Sequence, residues 1–242
     1  MSDYKNAMKI DAQDSLNYFN SSLSKRTEQQ KLLEKMLIER GVAPQSIADI
    51  ACGGGGASLH LSALYPQSKF TMIDANEDAI VLAQQATAHI NASCSVGDIY
   101  DIALDSDSYD LVICWQTLSW LDRPEAALRE LIRICKPGGS VWASSLFNLH
   151  HDVDVYSKVI DHTRPSSRLS MSYDYNTYSL HTLHEWLSGL VTDFKIHEFN
   201  IQTDLTYKQR GIGTYTVKLE TGERLQISAG MLLNWGILEV KK

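Results

Sequence analysis

A glycine-rich stretch at residues 47–55 carries the residue types that most directly indicate chemistry. It reads Ile-Ala-Asp-Ile-Ala-Cys-Gly-Gly-Gly, so an apolar run with one acidic residue ends in glycines, and a helical pattern follows over 57–64. Glycines at a strand-to-helix turn permit positive φ and let a ligand approach the main chain closely. Unpaired N–H groups at the start of the helix face the same crevice. The stretch therefore predicts a cofactor site on the first strand of an α/β sheet.

A second acidic residue, Asp74, ends the next predicted strand about twenty residues later. A carboxylate at this place can accept hydrogen bonds from a ribose diol, which suits either a dinucleotide or an adenosyl compound without phosphate. The dinucleotide pattern G-x-G-x-x-G is not met, because Ser58 stands at the third glycine, or Ala51 at the first in the earlier register. No Gly-Lys-Ser/Thr phosphate loop is present either. The residues therefore disfavour a phosphate-bearing cofactor.

The elements that must position these residues follow from alternating strand and helix patterns. Strands are predicted at 46–51, 69–73, 94–96, 109–115 and 140–146, and helices at 55–65, 77–90 and 124–135. Strands separated by helices indicate βαβ units and a parallel sheet.

The flanking regions have different patterns. A helix is predicted at 25–40 with Ser24 as its cap, and further helices at 152–162 and at 180–190, the latter capped by Ser179. Strands then dominate, at 194–201, 213–219, 224–228 and 235–240, with a hairpin turn at 220–223. We predict one domain over 1–242, made of an N-terminal helical cap (1–45), a cofactor-binding core (46–146) and a substrate-side cap with C-terminal strands (147–242).

Composition limits the partners. The chain has 242 residues, of which 44% are hydrophobic and 21% charged, as in an ordinary globular protein. Its formal net charge of −7 disfavours electrostatic binding of nucleic acid over a broad surface. Its four cysteines show no C-x-x-C spacing and are expected to be reduced thiols. No apolar run has the length of a membrane span, so we expect a cytoplasmic protein without membrane or nucleic-acid partners and without a metal site.

Five motifs resemble those of one family in their order and spacing. Asp49 to Gly55 resembles the D-x-G-C-G-T-G motif of class I S-adenosylmethionine-dependent methyltransferases, and Asp74-Ala75 resembles their acidic second motif. The remaining three are 97–99 (Gly-Asp-Ile), 109–112 (Tyr-Asp-Leu-Val) and 136–139 (Lys-Pro-Gly-Gly). The family usually has glycine where this chain has Ala51, which restricts the backbone more and is expected to shift the methionine end of the cofactor slightly.

The resemblance implies a Rossmann-like α/β fold: a seven-stranded, mostly parallel sheet with an antiparallel last strand, helices on both faces, and here an inserted β-hairpin near the C-terminus. It also implies S-adenosyl-L-methionine as cofactor and S-adenosyl-L-homocysteine as product. Main-chain groups of Ala51, Cys52 and Gly53 would line the methionine, Asp74 with Ala75 would hold the ribose, and Asp98 with Ile99 the adenine. Other residues implied at the cofactor are Trp115 and Gln116 beside the sulfonium, Trp120 over the adenine, and Tyr18 and Arg26 closing from the N-terminal side.

Methyl transfer is an in-line displacement at a sulfonium, so the protein mainly supplies alignment and desolvation. The sequence identifies no catalytic base; the substrate-side candidates are Tyr18, Trp115, His150, Tyr173 and Tyr175, with His151 a further possible base. The acidic balance and the aromatic residues, which also include Tyr156 and Tyr178, favour a small, partly apolar acceptor. Two alternatives remain: a cofactor-binding or partner-activating subunit without transfer activity, and a nicotinamide-dependent oxidoreductase. The sequence leaves the oligomeric state open.

Overall fold

The structure is a computed structural model, and it describes residues 12–160, 172–206, 215–228, 231–233 and 235–242. The helices are α1 (Ala12–Ser24), α2 (Glu28–Glu39), α3 (Gly56–Leu64), α4 (Glu77–Ala86), α5 (Pro124–Ile134) and α6 (Leu180–Leu187), with a 3-10 turn at Leu118–Trp120. The first five strands are β1 (Ser46–Ile50), β2 (Lys69–Asp74), β3 (Ala92–Val96), β4 (Tyr109–Trp115) and β5 (Cys135–Asn148). The later strands are β6 (Lys158–Ile160), β7 (Ser172–Asp174), β8 (Tyr178–Ser179), β9 (Asp193–Phe199), β10 (Tyr215–Lys218), β11 (Arg224–Ser228), β12 (Met231–Leu233) and β13 (Trp235–Lys241).

One large sheet organises the molecule. Its strand order is β3-β2-β1-β4-β5-β13-β9, and the two-residue β8 pairs with the end of β5. The strands from β3 to β5 are parallel, whereas β13 runs antiparallel to both of its neighbours. The predicted seven-stranded, mostly parallel sheet with an antiparallel last strand is therefore confirmed, with β8 as a short addition. Because β1 to β5 run the same way, their carboxyl ends, with the turns that follow, meet at one edge of the sheet.

The insertion before β13 is larger than predicted. The antiparallel pair β10–β11 forms as expected around the turn at 220–223, but β12 adds a third strand that the sequence analysis did not predict. The chain enters β13 directly after this small sheet, at the same edge as the carboxyl ends of β1 to β5, because β13 is antiparallel to β5. The insertion therefore belongs to the edge of the sheet where the glycine turn lies.

Two helix predictions need correction. The helix expected at 25–40 begins at Glu28, because Thr27 caps it: Oγ1 of Thr27 accepts from the Gln30 amide and Oε1 of Gln30 accepts from the Thr27 amide. Ser24 instead ends α1, a helix that was not predicted. The segment expected to be helical at 152–162 is extended in its described part, where β6 pairs with β7 and Val155 bridges Thr177.

Buried apolar side chains pack on both faces of the sheet. One face carries the larger core cluster, which includes Val112, Leu128 and Leu183. The other face packs against α2 and α3 through a cluster that includes Leu33, Leu61 and Trp142. A third, smaller cluster forms near the carboxyl edge of β5 around Leu146. The predicted arrangement of helices on both faces follows from this distribution.

Candidate active site

The turn after β1 has the unusual backbone that its glycines allow. Gly53 and Gly55 have φ of 54° and 82°, and Gly55 caps α3 in the left-handed conformation. Ala51 also has a positive φ, 60°, although it carries a Cβ. A left-handed alanine costs about 1–2 kcal/mol relative to the right-handed conformation, so the turn stores strain at the one position where the family usually has glycine.

Asp74 ties this turn to the end of β2. Its carboxylate accepts hydrogen bonds from the Gly53 amide at 2.8 Å and from the Asn76 amide at 2.9 Å. The side chain is buried, and this burial raises its pKa, although the bonds from the Asn76 and Gly53 amides act in the opposite direction. Each carboxylate oxygen has a second lone pair, so the group retains acceptor capacity for a ligand hydroxyl.

A second buried carboxylate, Asp49, lies under the same turn. Oγ of Ser58, in the first turn of α3, donates to Oδ2 of Asp49 at 2.7 Å, while Oδ1 is buried without a partner among the described residues. Burial, together with the negative charge of Asp74 and opposed in part by the Ser58 bonds, raises the pKa of Asp49 to about 7. The turn therefore stands above a carboxyl group whose charge changes near neutral pH.

Helix α1 packs directly on the glycines. A Cβ built on Gly53 would lie 2.7 Å from Cε1 of Phe19, and one on Gly56 would lie 2.7 Å from Oγ of Ser22. The Phe19 side chain is buried, and its contact with Gly53 was missed by the sequence analysis, which selected its neighbour Tyr18. Tyr18 lies on α1, but its side chain is outside the described part of the structure. The aromatic pair at 18–19 was the available signal, and only packing could show which ring meets the turn.

Arg26 lies between α1 and α2. Its Nε is 3.2 Å from Oε1 of Glu34, and the Arg26 side chain is about two-fifths exposed. The arginine is therefore near the helix that covers the turn, and its proposed contact with the methionine carboxylate stays a prediction.

The predicted adenine side lies at the adjacent strand end. The Gly97 amide donates to the Asp74 carbonyl, and Oδ1 of Asp98 accepts from the Tyr100 amide at 3.0 Å. Ile99 is buried in the larger core cluster, against which Ala75 also packs. The structure thus brings Asp74 and Asp98 to neighbouring positions at the carboxyl edge, next to the turn that contains Gly53.

Trp115 and Gln116 end β4 at this edge. Strand register places Asp49 opposite Ile113, so Trp115 is level with Ala51. Gln116 has a positive φ of 57°, and its Nε2 donates to Oε1 of Gln29 on α2 at 3.1 Å. The Trp115 ring packs against the cluster beneath α2 and α3, and its Nε1 is buried without a partner among the described residues.

Three further aromatic side chains form a cluster. The Trp120 ring centroid lies 5.4 Å from that of Tyr173 and 4.5 Å from that of Tyr175. Tyr175 and Trp120 belong to the small cluster with Leu146 and Phe199, whereas Ile99 lies in the larger core. Trp120 thus contacts Tyr173 and Tyr175, two residues predicted for the substrate side, and the roles of all three residues stay predictions.

The remaining candidates are more dispersed. His150 and His151 are exposed, and Nε2 of His150 is 3.5 Å from the Glu198 carboxylate. Tyr178 is fully buried in the larger core and donates to the Leu118 carbonyl, so it supports the fold and does not line the aromatic cluster at Trp120. Tyr156 is 66% exposed and packs against Tyr178.

A groove lies at the opposite edge of the sheet. It is lined by residues that include Arg40, Asp110, Lys136 and Lys241. None of the residues predicted for the cofactor or the acceptor lines it, and ion pairs join Arg40 to Glu239 and Lys136 to Asp110. We therefore place the candidate site at the carboxyl edge, where the strained turn and the buried carboxylates meet.

The residues at the carboxyl edge fit an adenosyl cofactor. A buried carboxylate with spare acceptor capacity ends β2, a second carboxylate follows β3, and the turn between β1 and α3 holds Ala51, Gly53 and Gly55 in left-handed conformations. Within the described ranges no group of His, Cys, Asp and Glu could hold a metal ion. No helix among those ranges is long and apolar enough to cross a membrane.

Comparison with known proteins finds methyltransferases similar to this chain. A family model described as a methyltransferase domain matches residues 47–139, which contain the glycine turn, Asp74, Asp98 and Trp115. A malonyl-[acyl-carrier protein] O-methyltransferase of Halalkalibacterium halodurans is 25% identical over 200 residues, covering 76% of this chain and 69% of the relative. The chain spans only 39% and 37% of two further proteins with that name, from Hahella chejuensis and Priestia megaterium.

Solved structures share the fold. The YcgJ protein of Bacillus subtilis superposes with a TM-score of 0.58 at 15% identity, covering 86% of this chain and 97% of that one. A methyltransferase of Haloferax volcanii, solved in complex with the Trm112 methyltransferase activator, gives a TM-score of 0.52 at 16% identity, covering 86% and 92%. At these identities the likeness concerns the fold alone.

Proposed function

Since the chain belongs to the class I S-adenosylmethionine-dependent methyltransferases, we propose that it transfers the methyl group of S-adenosylmethionine to a small, partly apolar molecule. The observation that carries the proposal is the link between the strained turn and the buried Asp74 carboxylate through the Gly53 amide. This link joins the group that would hold the ribose to the main chain that would hold the methionine. When bound, the cofactor supplies an activated methyl group on a positively charged sulfur.

The chain's residues would bind and orient the two reactants. Asp74 would accept from the ribose hydroxyls, and Asp98 from the adenine amino group. Phe19 packs on Gly53 and would exclude water from the methionine side, which strengthens the electrostatic interactions inside the site. Alignment of the acceptor with the methyl group is the main catalytic contribution that this arrangement supports.

An apolar acceptor would suit the aromatic residues predicted for the substrate side. Trp120, Tyr173 and Tyr175 form one aromatic cluster near Leu146, and the ends of β5 and β9 contribute to the same region. Such surface suits a small molecule with an apolar part, and the net charge of −7 disfavours nucleic acid. A second candidate acceptor is an acyl group on a carrier protein, which is supported by the names of several curated relatives.

Calorimetry with S-adenosylmethionine and S-adenosylhomocysteine tests the proposal. We expect both to bind with one site per chain, and no binding of NADH, which the oxidoreductase alternative requires. Absence of binding to either adenosyl compound would refute methyl transfer. Binding without turnover on any acceptor would instead favour the alternative of a cofactor-binding or partner-activating subunit.

A further inference from the structure

Two buried carboxyl groups lie at the glycine turn without a cationic partner. Asp49 and Asp74 are 1% and 3% exposed, and no lysine, arginine or histidine in the described part of the chain forms an ion pair with either of them. Charged groups in protein interiors are normally paired, because burial without a partner is costly. If both carboxyl groups are ionised, the turn therefore requires a positive charge that the described residues do not supply.

The other titratable groups around Asp49 are also acids. Burial raises the pKa of three thiols that interact with its carboxyl group, so these thiols stay uncharged at neutral pH; they belong to Cys52 in the turn, Cys94 on β3 and Cys114 on β4. Among the residues that the structure describes, the charge that Asp49 meets is that of Asp74, which has the same sign. The surroundings of Asp49 therefore oppose its ionisation.

One oxygen of Asp49 also lacks a donor. The Ser58 hydroxyl donates to Oδ2 at 2.7 Å, whereas Oδ1 is buried with no partner within the described ranges. A buried carboxylate is stabilised by donors to its oxygens or by a nearby cation. Burial raises the pKa of Asp49 to about 7, with Asp74 acting in the same direction and the Ser58 bonds against it. A cation placed nearby would convert this group from its neutral to its ionised form.

We propose that Asp49 distinguishes S-adenosylmethionine from S-adenosylhomocysteine by charge, because it keeps its proton beside the neutral thioether and releases it to solvent beside the sulfonium. The inference rests on the proposed methyl transfer and names a residue that determines specificity for its cofactor. Asp49 does not have to touch the ligand. It precedes Ala51 by two residues, so their main chains lie about 7 Å apart along β1, and Ala51 belongs to the turn that would line the methionine.

Charge alone is sufficient at this separation. Two opposite charges about 7 Å apart inside a protein can change an equilibrium constant tenfold or more. Asp49 loses its cationic neighbour when transfer leaves the sulfur neutral, and it then takes a proton back from solvent. The protein thus binds the charged donor more tightly than the neutral product, which favours exchange of product for donor between turnovers.

The proposal fixes the sign of a pH dependence. Asp49 is protonated well below pH 7 and ionised well above it, and a nearby sulfonium lowers its pKa. We expect the ratio of the two affinities, S-adenosylmethionine over S-adenosylhomocysteine, to rise about tenfold between pH 5 and pH 8, which corresponds to a shift of about one pKa unit. In Asp49→Asn this ratio should change only by what the ligands' own amino groups contribute.

Proton release on binding is the direct test. Calorimetry at pH 7 in two buffers of different ionisation enthalpy gives the number of protons released with each ligand. Because Asp49 is about half protonated at this pH, S-adenosylmethionine should release up to about half a proton more from wild type than from Asp49→Asn. S-adenosylhomocysteine should release equal numbers from both proteins. Sinefungin, an unreactive analogue with an ammonium group in place of the methylsulfonium, should behave like S-adenosylmethionine.

Two further variants separate charge from structure. Ser58→Ala keeps the Asp49 carboxyl group but removes the hydroxyl bond that favours its ionised form, so the rise in the affinity ratio should move to higher pH. Asp105→Asn removes a carboxylate at an exposed position and is the matched control, which should behave as wild type in both measurements.

The outcomes distinguish this inference from the proposed function. If neither adenosyl compound binds, the proposed methyl transfer fails, and this inference fails with it. If both bind but the affinity ratio in wild type follows that in Asp49→Asn at every pH, the inference is wrong and methyl transfer stands. If Asp49→Asn weakens both ligands equally without changing proton release, Asp49 only supports the turn and does not distinguish the ligands by charge.

Discussion

The amide of Gly53 donates to the carboxylate of Asp74 at 2.8 Å, so the turn after β1 and the end of β2 are held as one unit. Asp74 accepts from the Asn76 amide as well, and it therefore fixes two main-chain segments from a buried position. A ligand that bonded to the remaining lone pairs of this carboxylate would meet a group that is already oriented, which lowers the entropy lost on binding.

Replacing Asp74 should weaken the binding of the cofactor. We expect Asp74→Ala to reduce the affinity for S-adenosylhomocysteine by about 2–4 kcal/mol, because one or two charge-assisted bonds to the ribose are lost. Calorimetry measures the change, and urea unfolding checks that the variant folds. Asp78→Asn, which neutralises an exposed carboxylate nearby on α4, is the control. Equal affinity of Asp74→Ala and wild type would mean that the ribose lies elsewhere.

Asp49 should make stability depend on pH. Its folded pKa of about 7 exceeds the value of about 3.9 for an unfolded chain, so the native state binds more protons between these limits. Stability from this group is therefore fully present below pH 4 and lost as pH rises through 7. Asp49→Asn keeps an acceptor for Ser58 but does not titrate. Relative to wild type, its free energy of unfolding should rise by up to about 4 kcal/mol between pH 4 and 8.

Urea unfolding of wild type and Asp49→Asn across this pH range measures the difference in their free energies of unfolding. The contributions of titratable groups that both proteins share largely cancel in this difference. A constant difference between variant and wild type would show that Asp49 is not perturbed. Ser58→Ala removes the hydrogen bond that favours the charged form, so it should move the pH at which stability is lost upward.

Phe19 should hold α1 on the turn. Phe19→Ala removes a buried ring that contacts Gly53 and should weaken the packing of α1 on the turn. The free energy of unfolding should fall by at most about 3–5 kcal/mol, the loss typical of a phenylalanine in a protein core. We expect faster tryptic cleavage at Lys25 and Arg26, which follow α1. Ile38→Ala, a truncation at an exposed position of α2, should leave the cleavage rate unchanged. Equal rates for Phe19→Ala and wild type would contradict this role.

Variants of Arg26 and Glu34 distinguish two roles of the arginine, a contact with the cofactor and a surface ion pair. If Arg26 binds the methionine carboxylate, Arg26→Ala should lower the affinity for S-adenosylhomocysteine about tenfold, which is about 1.4 kcal/mol. Glu34→Gln removes the partner that Arg26 has in this structure and should leave the affinity equal or higher. If the two variants lower affinity equally, the arginine acts only through Glu34.

Several elements were predictable because their causes are local. The strand–turn–helix at 46–64 follows from an apolar run, glycines and a helical pattern, and the observed β1 and α3 match it within one residue. Ser179 caps α6 as predicted, because the cap depends on one side chain and the amide three residues later. The end of α1 and the start of α2 were misassigned because Ser24 and Thr27 are both good caps, and only Thr27 has a glutamine at the third position.

The sequence by itself determined the alternation of strands and helices from β1 to β5, and it predicts a site at their carboxyl edge with the carboxylates Asp74 and Asp98, since each follows from short-range pattern. Tertiary structure alone decided that Phe19 meets Gly53, that Trp120 joins Tyr173 and Tyr175, and that the Trp115 N–H has no partner in the part of the chain that the structure describes. These relations join residues tens of positions apart in the chain. Their geometry depends on how helices and loops pack over the sheet, which periodicity and local propensity do not encode.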